Sequence, residues 1–396
     1  MEQLPNEWQE VTLRSVCEPT HVWNPQRAPR DEFWYVDVSA VSRDSYAIRA
    51  PQRVKAAEAP SRARKIIQAG DAIFATVRPT LRRVAFVDKQ FANQIASTAF
   101  CIVRADRQQA IPHFLYYVLL TDFLNEEIAK FESGASYPAV NDKDILDRAI
   151  PLPPKPEQEK IAATLWKVQR AIEAEEKLAA NTRELKQSAM HHLLTCGLRG
   201  EPQKETDIGP APQSWRVGRL IEFAHFQRGL DITKKSQANG TVPVVSSGGI
   251  KSWHNEAAAK GPGVVIGRKG SIGSVHYVAQ DYWPHDTTLW CTDFRGNFPL
   301  FVYYRLQVLD LKRLDSGAAN PALNRNFLHE EVVTWPDIDE QQEIAAILQT
   351  IDRKIAVHER KRAMLQELFK TLLNQLMTGE LRVDKLDIDT SEVSTA

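Results

Sequence analysis

Nine basic side chains crowd the stretch from Arg49 to Arg83: Arg49, Arg53, Lys55, Arg62, Arg64, Lys65, Arg78, Arg82 and Arg83, against Glu58 and Asp71 alone. A guanidinium forks onto a guanine edge or a phosphate, and an ammonium serves phosphate as a point charge. This stretch therefore reads as a local docking place for an anionic partner. A second place offers related chemistry in a glycine-rich setting, Gly261-Pro262-Gly263-Val264-Val265-Ile266-Gly267-Arg268-Lys269-Gly270-Ser271. There, as in Gly70-Asp71-Ala72-Ile73-Phe74-Ala75-Thr76-Val77-Arg78-Pro79, an apolar strand ends at an arginine. Gly270 and Gly273 would let a nucleic-acid backbone come close. The plainer alternative is a strand end with solvated charges and a tight turn. Lys269-Gly270-Ser271 lacks the G-x-x-x-x-G-K-[ST] order of a nucleotide P-loop.

The chain as a whole does not share this local charge. Its 50 basic and 50 acidic residues cancel, which excludes a protein that coats nucleic acid through its overall field. With 43% hydrophobic and 25% charged residues, the composition is that of a folded protein, and 396 residues suggest two or three domains. Met1-Glu2-Gln3-Leu4-Pro5 has neither the basic start nor the apolar run of a secretory leader, and no stretch is apolar for long enough to span a bilayer. A cytoplasmic chain without a membrane partner is expected. Cys17, Cys101, Cys196 and Cys291 form no C-x-x-C pair, so they read as free thiols, and no metal site is expected.

The elements that must position the two basic places are duplicated. Ser133-Gly134-Ala135-Ser136-Tyr137-Pro138-Ala139-Val140-Asn141 matches Ser316-Gly317-Ala318-Ala319-Asn320-Pro321-Ala322-Leu323-Asn324 at an offset of 316 − 133 = 183. The offset then holds without a gap. It carries Pro153 onto Pro336, Glu157-Gln158 onto Glu340-Gln341, Ile161-Ala162-Ala163 onto Ile344-Ala345-Ala346, and Leu198-Arg199 onto Leu381-Arg382. Near the start of each half, Leu4-Pro5-Asn6-Glu7-Trp8 resembles Ala211-Pro212-Gln213-Ser214-Trp215, now at 215 − 8 = 207. Each half is a variable domain followed by a repeated helix.

Those helices run from Glu157 to about Thr195 and from Glu340 to about Thr378, both free of internal Pro and Gly and rich in Ala, Glu, Lys, Leu and Gln. Some 40 residues give a rod of about 60 Å. The second carries an unbroken 4-3 seam: Ile344, Leu348, Ile351, Ile355, His358, Arg362, Leu365, Phe369, Leu372 and Leu376. The corresponding positions of the first are Ile161, Leu165, Val168, Ile172, Glu175, Ala179, Thr182, Lys186, Ala189 and Leu193. An antiparallel pairing that sets Ile161 beside Leu376 also sets Glu175 beside Arg362 and Ala179 beside His358. The charged pair would fix register. Otherwise Glu175 and Arg362 are solvated charges on unrelated faces.

Short apolar runs broken by turns read as strands: Phe33 to Val38, Ala72 to Val77, Val84 to Val87 and Phe100 to Val103, then Val242 to Val245, Val264 to Gly267, Ser274 to Val278 and Thr288 to Cys291. Helical pieces follow, from Pro112 to Lys130 and from Leu300 to Leu314. The Ser-Gly turns at 133–141 and 316–324 either touch a DNA backbone or pack each domain onto its helix, and the second reading is preferred because the motif travels with the helix. The fold class is α+β, two pseudo-two-fold related mixed α/β domains separated by two long antiparallel coiled-coil helices. The expected boundaries are 1–152 and 201–335 for the domains, 153–200 and 336–383 for the helices, and 384–396 for a disordered tail.

Taken together, the Glu-Gln-x-x-Ile-Ala helix starts, the Gly-Arg-Lys-Gly-Ser-Ile-Gly loop, the Ser-Gly-Ala-x-x-Pro-Ala-x-Asn turns and the half repeat resemble the specificity subunit of type I restriction-modification systems over nearly the whole chain. The resemblance implies two target recognition domains that read the two parts of a split double-stranded DNA site, with the helices as a ruler for the unread gap. It implies two methyltransferase subunits docked on the helices, S-adenosylmethionine held by those partners and not by this chain, and further restriction and motor subunits. It implies no catalytic residue here. In agreement, Asn24-Pro25-Gln26-Arg27 and Asn320-Pro321-Ala322-Leu323 fail the methyltransferase N/D-P-P-Y/F tetrapeptide, and Pro336-Asp337 lacks a downstream nuclease E-x-K. Gly70 to Pro79 lacks the Gly-Arg-Lys-Gly loop, so the two domains should read different sequences. The expected DNA contacts are Arg62, Arg64, Lys65, Arg78, Arg82 and Arg83 for one part of the site, and Arg268, Lys269 and Ser271 for the other. Two other classes stay open: an adaptor that binds protein alone, suited by zero net charge and long coiled-coil faces, and a fused enzyme, for which paired catalytic acids are missing.

Overall fold

The computed structural model describes residues 4–24, 31–134, 138–315 and 321–394. Parts of both repeated Ser-Gly turns, 135–137 and 316–320, lie outside them.

The first half begins with β1 (Gln9–Thr12), β2 (Glu32–Val36), β3 (Gln52–Lys55), β4 (Ala63–Ile67), β5 (Ala72–Ala75), β6 (Val84–Phe86), β7 (Gln94–Ser97) and β8 (Phe100–Val103). It continues with α1 (Pro112–Val118), α2 (Asp122–Ala129), α3 (Asp142–Leu146) and β9 (Ala149–Leu152), before the first long helix, α4 (Lys155–Cys196). The second half has β10 (Gln203–Lys204), β11 (Ala211–Pro212), β12 (Arg216–Arg219), α5 (Leu220–Phe223), β13 (His225–Arg228), β14 (Val242–Ser246), β15 (Gly249–His254), β16 (Gly263–Gly267), β17 (Val275–Val278), β18 (Trp283–Pro284) and β19 (Thr288–Asp293). It ends with α6 (Pro299–Gln307), α7 (Arg325–Glu330), β20 (Val332–Trp335), the second long helix α8 (Ile338–Thr378) and α9 (Ser391–Ser394).

The duplication extends into the sheets, where the sequence offset fails. The antiparallel pair β1–β9 has its counterpart in β12–β20, the sheet β6-β5-β8 in β17-β16-β19, and β3-β2-β7 in β15-β14-β18. Even the parallel contact recurs, Tyr35 opposite Ile95 in the first half and Val244 opposite Trp283 in the second. The additions differ, β4 joining beside β7 and β13 beside β19. Central strands β5 and β16 are buried along their whole length, the burial expected of an apolar run covered on both faces. Their covers are α1, buried at every residue, and α6. Each starts at a proline, whose missing N–H costs nothing in the first turn.

Two compact units result, Met1–Lys177 with Glu359–Ala396, and Leu178–His358. Their boundary falls inside the long helices, so each unit holds part of both, and the linear domain limits do not describe the packing. In the first unit Ile161, Leu165 and Ile172 of α4 share a core with Phe369, Leu373 and Leu376 of α8. In the second, Met190, Leu193 and Leu194 meet Ile344, Ala345 and Leu348. Every residue of both seams is buried or half-buried. The pairing is antiparallel in each unit: contacts step from Glu157–Arg382 (2.6 Å) to Glu175–Lys361 (2.5 Å) in the first, and from Lys186–Asp352 (2.7 Å) to Arg199–Asp337 (3.0 Å) in the second. Lys361 is a cation on buried Glu175, whereas its neighbour Arg362 has its Nε buried without a hydrogen bond. A flanking lysine reaches the carboxylate while staying mostly solvated, which spares a second buried charge.

Residues 384–394 also depart from expectation, because they pack instead of forming a disordered tail. Val393 is 1% exposed within the first unit's core, Trp166 Nε1 donates to Glu392 (2.9 Å), and Lys160 Nζ donates to the Asp384 carbonyl (2.7 Å).

Candidate nucleic-acid interface

Each unit presents a hairpin loop at the end of its central strand: residues 76–83 between β5 and β6, and residues 268–274 between β16 and β17. Strand register aligns them. Ala75 lies opposite Phe100 and Gly267 opposite Thr288, and the next N–H groups follow suit, Thr76 donating to Ala99 O (2.8 Å) and Arg268 to Thr287 O (2.8 Å). Arg268 therefore occupies the place of Thr76, and Arg78 that of Gly270. The arginine that ends both strands in the sequence is not one structural position.

The repeated Ser-Gly turns support these loops. Val140 N donates to Thr76 O (3.0 Å), Arg78 N to Pro138 O (2.7 Å), and Leu323 N to Arg268 O (2.9 Å). The repeated asparagines then start helices: Asn141 forms a capping box with Asp144 on α3, and the Asn324 side chain accepts from Asn326 N on α7. Among the described residues the motif seats a hairpin loop, where the sequence suggested a seat on the long helix.

The basic residues of the first unit divide sharply. Lys65, 15% exposed, donates to Asp142 (2.5 Å) and to Phe100 O (2.6 Å). The Arg83 guanidinium donates to the Val38 and Val41 carbonyls. Both hold the domain together, which removes them from the expected DNA contacts, since a charge already desolvated and paired has little left for a phosphate. Arg82 pairs with Asp122, Arg53 with Glu32, and Arg49 lies within 4 Å of Glu173 and Glu176. Arg62 and Arg78 are exposed, and Arg64 is half-buried with Nη1 on Ala63 O (2.7 Å). Arg78 and Arg82 both have left-handed backbone, φ 50° and 48°, a strain that a long side chain tolerates only under local constraint.

In the second unit, Lys269 and Ser271 are exposed, whereas Arg268 is partly covered and its Nη1 is buried without a hydrogen bond. Sequence reasoning missed the neighbouring turn, where Ser247 O accepts from Ser274 Oγ and His276 Nε2. Lys251 rises beside it and Trp253 is 51% exposed. The Gly248-Gly249 pair between two strand runs was the available signal.

The repeated Glu-Gln at the start of each long helix locks the interface domain to that helix. Trp8 Nε1 donates to Glu157 (3.0 Å) and Trp215 Nε1 to Glu340 (2.9 Å). Gln158 accepts from Ile111 N (2.9 Å) and Gln341 from Phe298 N (2.9 Å), the residues preceding α1 and α6. Burial pushes the Cys17 and Cys291 thiols up to about 12, so neither is a ready nucleophile. Among the described residues, Asp231, His285 and Asp286 could gather around a cation, but Arg228 already neutralises Asp286 at 3.0 Å.

Residues 5–181 and 212–367 match the family described as type I restriction modification DNA specificity domain. The chain belongs to this family. A Methanocaldococcus jannaschii protein named as the MjaX type I restriction enzyme specificity subunit is 21% identical, over 96% of this chain and 95% of its own. A chain from a structural study of complex assembly and conformational transition in the type I R-M system superposes with a TM-score of 0.61 at 27% identity, covering 96% of this chain and all of that one. The type I restriction-modification S subunit from M. genitalium shares the fold at a TM-score of 0.65 and 17% identity, over 95% and 98% of the two chains. As a specificity subunit, the chain is the component that recognises the DNA target. Among the described residues no helix is long and apolar enough to cross a membrane.

Proposed function

We propose that this specificity subunit reads a split, asymmetric DNA site, one part with each unit, and leaves all chemistry to its partners. What supports the reading is the recurrence of one sheet arrangement, each copy ending in a hairpin loop, with different residues on the two loops. Arg62, Arg64, Arg78 and Arg82 serve one part of the site; Arg268, Lys269 and Ser271 serve the other. The long helices, roughly 60 Å each if straight, set the unread gap and receive two methyltransferase subunits. Those partners hold S-adenosylmethionine and methylate adenine, and restriction and motor subunits join them for cleavage.

A gel shift with random duplexes, with and without methyltransferase subunits, tests the reading against a protein-only adaptor. Selection of one split sequence by the assembled complex is expected. Equal retention of all duplexes, or none, would leave the adaptor.

A further inference from the structure

Two glycine-rich turns of the second unit meet at one spot. The first, Ser247-Gly248, joins β14 to β15; the second is the 268–274 loop. A methyl group placed on Gly248 would lie 3.6 Å from Lys251 Nζ and 3.9 Å from Ser271 Oγ, and one placed on Gly270 would lie 3.5 Å from Ser247 Oγ. Several donors here have no protein partner, while others are already used. Arg268 N and Lys269 N are spent on Thr287 O (2.8 and 3.1 Å), Ile272 N on Gly270 O (2.9 Å), and Gly273 N on Gly267 O (2.9 Å). Among the described residues, the N–H groups of Gly248, Gly270 and Ser271 have no protein acceptor, and all three residues are exposed. The hydroxyls of Ser247 and Ser271 and the ammonium groups of Lys251 and Lys269 are likewise not engaged by any carboxylate. Asp286, one residue before Thr287, is held by Arg228 (3.0 Å).

We infer that this double turn is a cradle for one backbone phosphate of the DNA. Unpartnered N–H groups, two hydroxyls and two lysines on adjoining turns suit a compact, doubly accepting anion. They do not suit a base edge, which needs a matched set of donors and acceptors. The cradle fixes the second unit on the duplex without reading sequence. Among the described residues the first unit's hairpin loop does not repeat it. Arg78, at the place of Gly270, gives its N–H to Pro138 O (2.7 Å), and Pro79, at the place of Ser271, has none to give. The first unit must grip its DNA through side chains, the second chiefly through backbone and lysines.

The inference rests on DNA recognition by the second unit, and its test uses the subunit assembled with its methyltransferase partners. Replacing Lys251 and Lys269 together by Ala should weaken binding about fivefold near 0.15 M salt, the share of one released counterion, and lessen the salt slope by about 1. The loss should be equal for the target and for duplexes with one altered base pair, and the methylated adenines should stay the same. Lys251→Arg with Lys269→Arg should restore the slope. Scanning the target with single methylphosphonates should find one position that weakens the native complex clearly more than the double-alanine variant, which keeps the N–H groups and hydroxyls. Unchanged affinity and slope, or a loss confined to one base pair, would overturn the cradle. Failure of the native complex to prefer any sequence would instead overturn DNA reading itself.

Discussion

Replacing His113 by Phe should remove most of the first unit's sensitivity to mild acid. His113 is 1% exposed, stacks on Phe86 with centroids 4.0 Å apart, and meets the edge of Trp166 at 4.8 Å. Burial pulls its pKa down to about 4, the neighbouring Val393 backbone acting in the opposite direction, and its Nδ1 is buried without a hydrogen-bond partner. Because the folded value lies below the ordinary one of about 6.5, the unfolded chain binds a proton between those limits and the folded chain does not. Stability is therefore full near neutrality and lost as pH falls toward 4. The loss between pH 7 and pH 5 is about 2 kcal/mol for this group, reaching about 3 kcal/mol below pH 4. Phenylalanine keeps the stack but cannot titrate. Urea unfolding followed by tryptophan fluorescence, with Trp166 as the near reporter, should show the gap between native and variant stability shifting by about 2 kcal/mol in the variant's favour from pH 7 to pH 5. A constant gap would show that His113 is not buried neutral and that the 384–394 segment does not cover it.

Three further outcomes follow from particular contacts. Glu157→Ala strands the Trp8 indole and breaks the two-pronged contact with Arg382 (2.6 and 3.0 Å); since Arg382 is 28% exposed and can rehydrate, a loss of about 2–3 kcal/mol is expected in denaturant unfolding. Arg78→Gly removes the guanidinium while glycine adopts the left-handed backbone freely, so it should lower DNA affinity in the assembled complex, read by gel shift. Inserting four residues at one level of both long helices adds about 6 Å and roughly one turn, and mapping of methylated sites should show a longer unread gap; an unchanged gap with activity retained would dismiss the helices as the ruler.

The repeat and the helix seams were legible because they are local or periodic: the 183-residue offset could be followed residue by residue, and the 4-3 spacing names its own buried face. The basic cluster was legible as charge but not as function. Lys65 finds Asp142 across 77 residues and Arg82 finds Asp122 across 40, and no count of neighbouring charges reveals such partners. Ser247 and Lys251 were missed because their role comes from a turn folded against a loop some 20 residues later. Residues 384–396 read as disordered because the polar segment is anchored by few side chains, chiefly Val393 and Glu392, whose sites belong to other elements.

The central claim is that each unit reads its own part of the site. Its most direct test is to replace residues 216–331 with the corresponding part of a relative of different specificity and to map methylated adenines across the host genome. A new sequence on one side only, with the other side and the gap kept, is expected. Change on both sides, or on neither while methylation persists, would contradict it.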